Sequence, residues 1–219
     1  GVVATGEIWV QVPQTLRMVW QGALQKGVCA KDMILYMIGK FGMNGGNYQA
    51  VEFAGDTVRG LSMQERMTLS NMSAEMGAQV GLIAADSTTR EYLKSVGVSP
   101  ADIEQCDYFE TDDTAECQRF DFDASQLSPQ VAAPHSPENT KAVAEFAHIK
   151  PSVAYIGACT GAKLVDLRAA AEVLKGRKVA PGVQLMVAPA SARDQAQAQR
   201  EGVMQILTDA GASVLPNAC

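Results

Sequence analysis

Apolar positions between Gln14 and Gly97 keep two different spacings, and the two alternate along the chain. "TLRMVWQGAL" sets β-branched and aromatic residues at near-alternate positions, which predicts a strand. "AKDMILYMIGKFG" repeats at helical spacing through Met33, Ile34, Met37, Ile38 and Phe41, which predicts a helix that stops at Gly42. "QAVEFAG" reads as a short strand. In "LSMQERMTLSNMSAEMG", Ser62 precedes Glu65 by three residues, the spacing of a capping box, and Met63, Met67 and Met72 run through a helix closed by Gly77. "VGLIAAD" reads as another buried strand, and "STTREYLKSVG" as a helix capped by Ser87 or Asp86. Strands separated by helices predict a sheet covered by helices.

Residues 98–147 break this rhythm. They are acidic, interrupted by Pro129, Pro134 and Pro137, and nearly without periodicity. They read as a connection between two units, with a binding loop as the alternative.

A second alternation follows: strand "SVAYIGAC", a helix from Lys163 to Lys175, strand "VQLMVAP", a helix from Ala192 to Ala210, and the run "ASVLPNAC". Single helices between successive strands predict parallel pairing with right-handed crossovers. The expected class is therefore α/β, with helices packed on mostly parallel sheets, in units 1–97 and 148–219 joined by 98–147. Ligands of such sheets collect beyond the carboxyl ends of the strands. Cys159, Pro189 and Cys219 each close a strand or extended run on that edge.

Composition narrows the partners. The chain is 47% apolar and 19% charged, and it lacks any apolar run near the roughly 18 residues that would span a membrane. A net charge of -6, without a basic block or an interleaved aromatic patch, argues against nucleic acid and for small-molecule or protein partners. Five cysteines, an odd count in a chain long enough to build its own cores, point to a reducing, cytoplasmic setting. Cys106 and Cys117 read as incidental thiols rather than a bridge. Because the chain starts on glycine and stops on Cys219, it reads as a piece of something longer.

Three roles suit Cys159: a small buried residue at a strand end, a nucleophile activated by a helix N-terminus, or a metal ligand shared with Cys219. Spacing alone leaves them open.

Several stretches, in order along nearly the whole chain, carry a resemblance: "GVCAKDMILYMIGKFGMNGG", "AVEFAGDTVRGLSMQERMTLSNMSAEMGAQVGLIAAD", "PQVAAPHSPEN", "AYIGACTGAKLVDLRAAAEVLKGRKVAPGVQLMVAPAS" and "ILTDAGASVLPNAC". The chain resembles the aconitase superfamily, in the large-subunit type of 3-isopropylmalate dehydratase and homoaconitase. The resemblance implies a hydro-lyase with a [4Fe-4S] cluster held by three cysteines. Cys159 matches the first, Cys219 matches the first member of a Cys-x-x-Cys pair, and the third lies beyond residue 219. It also implies a hydroxy di- or tricarboxylic acid substrate, a small swivelling subunit as partner, and inactivity of this piece alone.

Within "NMSAEMG", Glu75 matches a catalytic carboxylate and Asn71, one turn earlier, a position beside the cluster. Asn217 and Thr160 match positions adjacent to cluster or substrate. A solvated helix glutamate, a surface amide and a turn asparagine are the plain alternatives for Glu75, Asn71 and Asn217. His135 reads as an exposed loop residue or a substrate neighbour. Where the family commonly has Thr-Asn-Gly-Arg, this chain has Thr160, Gly161, Ala162 and Lys163, which leaves room for another branched malate such as 2,3-dimethylmalate. A relative with a different metal arrangement, and a noncatalytic binding module using the acidic segment, are the remaining readings.

Overall fold

The computed structural model describes residues 1–219 except 106–108, 113, 159, 218 and 219. In chain order the elements are α1 (Val2–Thr5), β1 (Thr15–Gln21), α2 (Ala30–Phe41), β2 (Ala50–Ala54), α3 (Asp56–Gly60), α4 (Met63–Met72), β3 (Val80–Ile83), α5 (Ser87–Ser95) and α6 (Pro100–Gln105). They continue with β4 (Gln118–Asp123), β5 (Gln130–Ala132), β6 (Thr140–Ala142), β7 (Val153–Ile156), α7 (Leu164–Leu174), β8 (Gln184–Val187), α8 (Ala192–Arg200), α9 (Val203–Ala210) and β9 (Ser213–Val214).

The α/β expectation holds, with two parallel sheets and a small hairpin. The first sheet has the order β3-β2-β1-β4 with every pair parallel. Its apolar face carries Leu16, Met18, Trp20, Val51 and Phe53 against Met33, Ile34, Met37 and Ile38 of α2. The Trp20 ring stacks on Phe122 of β4 at 4.5 Å and 17°. The second sheet, β7-β8-β9, is also parallel and packs Leu185 and Val187 against Leu167, Met204 and Leu207 of its helices. β5 and β6 form the antiparallel hairpin.

Three sequence expectations are corrected, at β4, at β3 and at the helix after β8. Residues 118–123, read as connection, are β4: Phe120 and Phe122 alternate with charged residues, and the strand pairs with β1 from Leu16 to Gln21. β3, read as buried, is an edge strand with Val80 and Leu82 exposed. The buried stripe of α4 runs through Arg66, Leu69 and Met72, while Met63 and Met67 are half-buried. The helix expected from Ala192 to Ala210 is two helices, because Gly202 takes the left-handed conformation (φ 75°) that ends one and starts the next.

Candidate active site at the junction of the two sheets

The carboxyl edge of the second sheet gathers three loops. In register, Ile156 of β7 lies beside Val187 of β8, which lies beside Val214 of β9, so the chain leaves all three strands on one edge. Hydrogen bonds stitch these exits together: Ala188 N–H to Ile156 O (2.8 Å), Leu215 N–H to Val187 O (2.8 Å) and Ala190 N–H to Ala162 O (2.9 Å). Asn217 adds its side-chain amide, which donates to Pro189 O at 3.1 Å. That bond uses one of two amide protons and fixes the asparagine beside the end of β8. Thr160 is half-buried in the turn that follows β7. Ala158, just before Cys159, takes a left-handed φ of 67°, a conformation that costs a non-glycine residue about 1–2 kcal/mol.

The two cysteines expected as metal ligands, Cys159 and Cys219, lie outside the described residues, as does Cys106. Among the described residues no three His, Cys, Asp or Glu side chains gather in a metal-binding arrangement. Cys29 and Cys117 carry free thiols. Packing around the Cys29 sulfur, followed by the Asp32 charge and the thiol's hydrogen bond to Asp32 Oδ2 (3.2 Å), pushes this thiol up to about 11.

The second wall is α4. Its start is the capping box read from the sequence: Glu65 N–H bonds Ser62 Oγ (3.3 Å) and Ser62 N–H bonds Glu65 Oε2 (3.2 Å). Its end tightens into a 3₁₀ turn at Ser73–Met76, closed by Gly77 at a left-handed φ of 76°. Two serines fix this end, as Ser73 Oγ donates to Ser70 O and Ser70 Oγ to Gly81 O, both at 2.7 Å. Gly81 permits the close approach, since a Cβ there would stand 2.8 Å from Ser70 O.

Glu75 sits in this 3₁₀ turn, half-buried, and among the described residues its buried Oε2 has no hydrogen-bond partner. A buried carboxyl oxygen without a donor costs free energy. Asn71, on the last turn of α4, is exposed and lines a cleft with Met67, Ser70, Leu82 and Thr89. The structure thus places Asn71 and Glu75 on one stretch of chain, and Thr160 and Asn217 on the loop cluster at the second sheet. His135 is exposed at a left-handed turn of the β5–β6 hairpin (φ 86°).

The walls meet through groups that the sequence did not single out for this purpose. The Lys163 ammonium donates to Gln64 O (2.9 Å) and Thr68 Oγ1 (3.2 Å) of α4. Asp166 accepts the Lys163 N–H at 3.0 Å, and Leu164 N–H bonds Asp194 Oδ1 at 3.1 Å. Burial holds the Asp166 carboxyl above its usual range, against the pull of the Lys163 N–H and the Lys163 and Lys31 ammoniums. A cleft of about 480 Å³ opens beside this junction, between Gln64, Met67, Tyr92, Lys163, Arg193 and Arg200. Partners nearly a hundred residues apart leave no local signal in a sequence.

The chain belongs to the aconitase family (aconitate hydratase), whose model matches residues 1–219. It is 43% identical over 219 residues to the 3-isopropylmalate dehydratase large subunit 1 of Pyrococcus furiosus, covering 99% of this chain and 51% of that protein. The large subunit of the same name from Thermodesulfovibrio yellowstonii is 42% identical over 217 residues, with 99% and 51% coverage. Archaeoglobus fulgidus large subunit 1 is 41% identical over 218 residues. The chain spans about half the length of the curated relatives it matches. A crystal structure of Thermococcus kodakaraensis aconitase X in its holo-form matches with a TM-score of 0.48 and 13% identity, over 94% of this chain and 44% of that one. Among the described residues no helix is long and apolar enough to cross a membrane.

Proposed function

We propose that this chain is part of the large subunit of a hydro-lyase that dehydrates and rehydrates a hydroxy di- or tricarboxylic acid resembling 3-isopropylmalate, together with a small subunit. The observation that carries the reading is the likeness, 43% over the whole chain, to a 3-isopropylmalate dehydratase large subunit. The unpartnered Glu75 oxygen supports it from the side of chemistry.

Cys159 and Cys219, with a third cysteine outside this sequence, would hold a [4Fe-4S] cluster. The donors suit that group in kind: thiolates are soft ligands, and the described neighbours of both cysteines belong to loops stitched at one sheet edge. Bound there, the cluster would supply an open iron as Lewis acid toward the substrate hydroxyl and carboxylate. Glu75 would act at the hydroxyl itself, giving its proton as that group leaves as water, while the proton of the neighbouring carbon would pass to a base that these residues do not supply; rehydration would reverse both transfers. Asn71, one turn earlier, would orient the substrate by its amide, and Asn217 and Thr160 would line the opposite wall.

The test is turnover by the full-length polypeptide with its small subunit, loaded anaerobically with iron and sulfide. Dehydration of 3-isopropylmalate or 2,3-dimethylmalate to the unsaturated acid, or hydration of homoaconitate, is the expected result. Loaded protein that turns over none of them refutes the assignment.

A further inference from the structure

We infer that Lys163 is a positioning residue, which holds the loop carrying Cys159 in register with the helix that carries Asn71 and Glu75. This inference rests on the function proposed above. Lys163 is the N-terminal cap residue of α7, in the second unit, yet its ammonium ends on α4 of the first, at Gln64 O (2.9 Å) and Thr68 Oγ1 (3.2 Å). Thr68 is buried, and its hydroxyl donates to the same Gln64 carbonyl at 3.2 Å, so the ammonium is aimed at one defined turn of the helix.

Both ends of this link lead to chemistry. From Thr68, Asn71 lies three residues on, on the same helix face. Glu75 lies seven residues on, about 12 Å along the axis at about 1.5 Å per residue through α4 and about 2.0 Å through the 3₁₀ turn. The intervening chain is α4 and its pinned 3₁₀ turn, a stiff element. At the other end the loop is equally fixed. Lys163 N–H is held by Asp166, Leu164 N–H by Asp194, and Ala162 O by Ala190 N–H. Lys31 of α2 approaches the same loop, with Nζ 3.7 Å from where a Cβ on Gly161 would stand.

Two groups that act on one carbon–oxygen bond must keep their separation, and an error of about 1 Å can cost about 10²-fold in rate. Hydrogen bonds from a loop to a helix turn limit that error directly. Lys163 therefore acts through Glu75 and the cysteine loop rather than on substrate.

The experiment compares Lys163→Met, Lys163→Arg, Thr68→Val and the Lys163→Met/Thr68→Val double variant in the full-length enzyme with its small subunit. Lys163→Met is expected to lower kcat about 10- to 100-fold while KM moves less than about threefold. Lys163→Arg should recover most of the rate, because the guanidinium can reach both acceptors. In metal-free protein, hydrogen exchange of residues 157–166 should quicken in Lys163→Met and Thr68→Val, with the double variant no faster than Lys163→Met. Wild-type kcat and unchanged exchange in Lys163→Met would overturn the inference. So would a parallel loss of kcat, KM and global exchange protection, which marks a folding role alone. If wild-type enzyme neither binds a cluster nor turns over, the functional reading fails, and unchanged exchange would then dismiss the link as well.

Discussion

Arg66 and Asp86 are joined by two parallel hydrogen bonds of 2.7 and 2.8 Å, with the arginine side chain 2% exposed. The guanidinium gives its other donors to Leu61 O (3.1 Å) and Arg59 O (2.7 Å), and Asp86 also caps α5 through Thr89 N–H. One ion pair thus ties α4 to the turn after β3 and to the start of α5. Removing one partner of a buried pair strands the other charge. Asp86→Asn, which keeps a capping oxygen, should therefore lower the unfolding free energy by about 3 kcal/mol in urea titrations, and Arg66→Met should cost less because Asp86 can hydrate.

The same pair sets an acid limit. The Arg66 hydrogen bonds hold the Asp86 carboxyl below its ordinary 3.8. A carboxyl depressed by folding lends stability above its unfolded pKa and loses it as pH falls through the folded one. Unfolding midpoints measured from pH 6 downward should drop more steeply below about pH 4 in the parent than in Asp86→Asn.

Much of the architecture was legible in local pattern. The box at Ser62 and Glu65, the stop at Gly42 and the parallel second sheet depend on neighbours in sequence. What escaped depends on partners far away. Arg66 lies buried where Asp86, twenty residues on, pairs with it, a partner that no local pattern in α4 reveals. β4 shows strand alternation at Phe120 and Phe122, but its acidic setting hid a strand that needs β1 beside it. At the candidate site Asn71, Glu75, Thr160 and Asn217 were named through family resemblance alone, since no local pattern sets them apart. The reach of Lys163 to Gln64 and Thr68 was not legible, since no spacing rule connects them.

Cys29 offers a chemical check on the start of α2. Although Cys29 is an exposed residue, desolvation of its sulfur by the groups packed around it, with Asp32, pushes the thiol up to about 11, so at pH 8 it holds about a hundredfold less thiolate than an unshifted cysteine. Iodoacetamide labelling of Cys29, followed by peptide mass spectrometry, should rise with a midpoint near pH 11. Asp32→Asn should move that midpoint down toward 9.0.

Glu75→Gln separates chemistry from stability. Among the described residues the Glu75 Oε2 has no hydrogen-bond partner, so the amide gives up no bond that holds the fold. The melting temperature of the full-length enzyme should hold or rise, while kcat falls about 10²- to 10⁴-fold. A variant that melts early and keeps its rate would assign Glu75 to the fold instead.

Cys159 and Cys219 are the proposed ligands of an iron–sulfur cluster. That role is met most directly by assaying iron and acid-labile sulfide in the anaerobically loaded full-length protein and in its Cys159→Ser and Cys219→Ser variants. The account predicts iron and sulfide in equal amounts in the parent and loss of both in each variant. Undiminished iron and sulfide in either variant would contradict it.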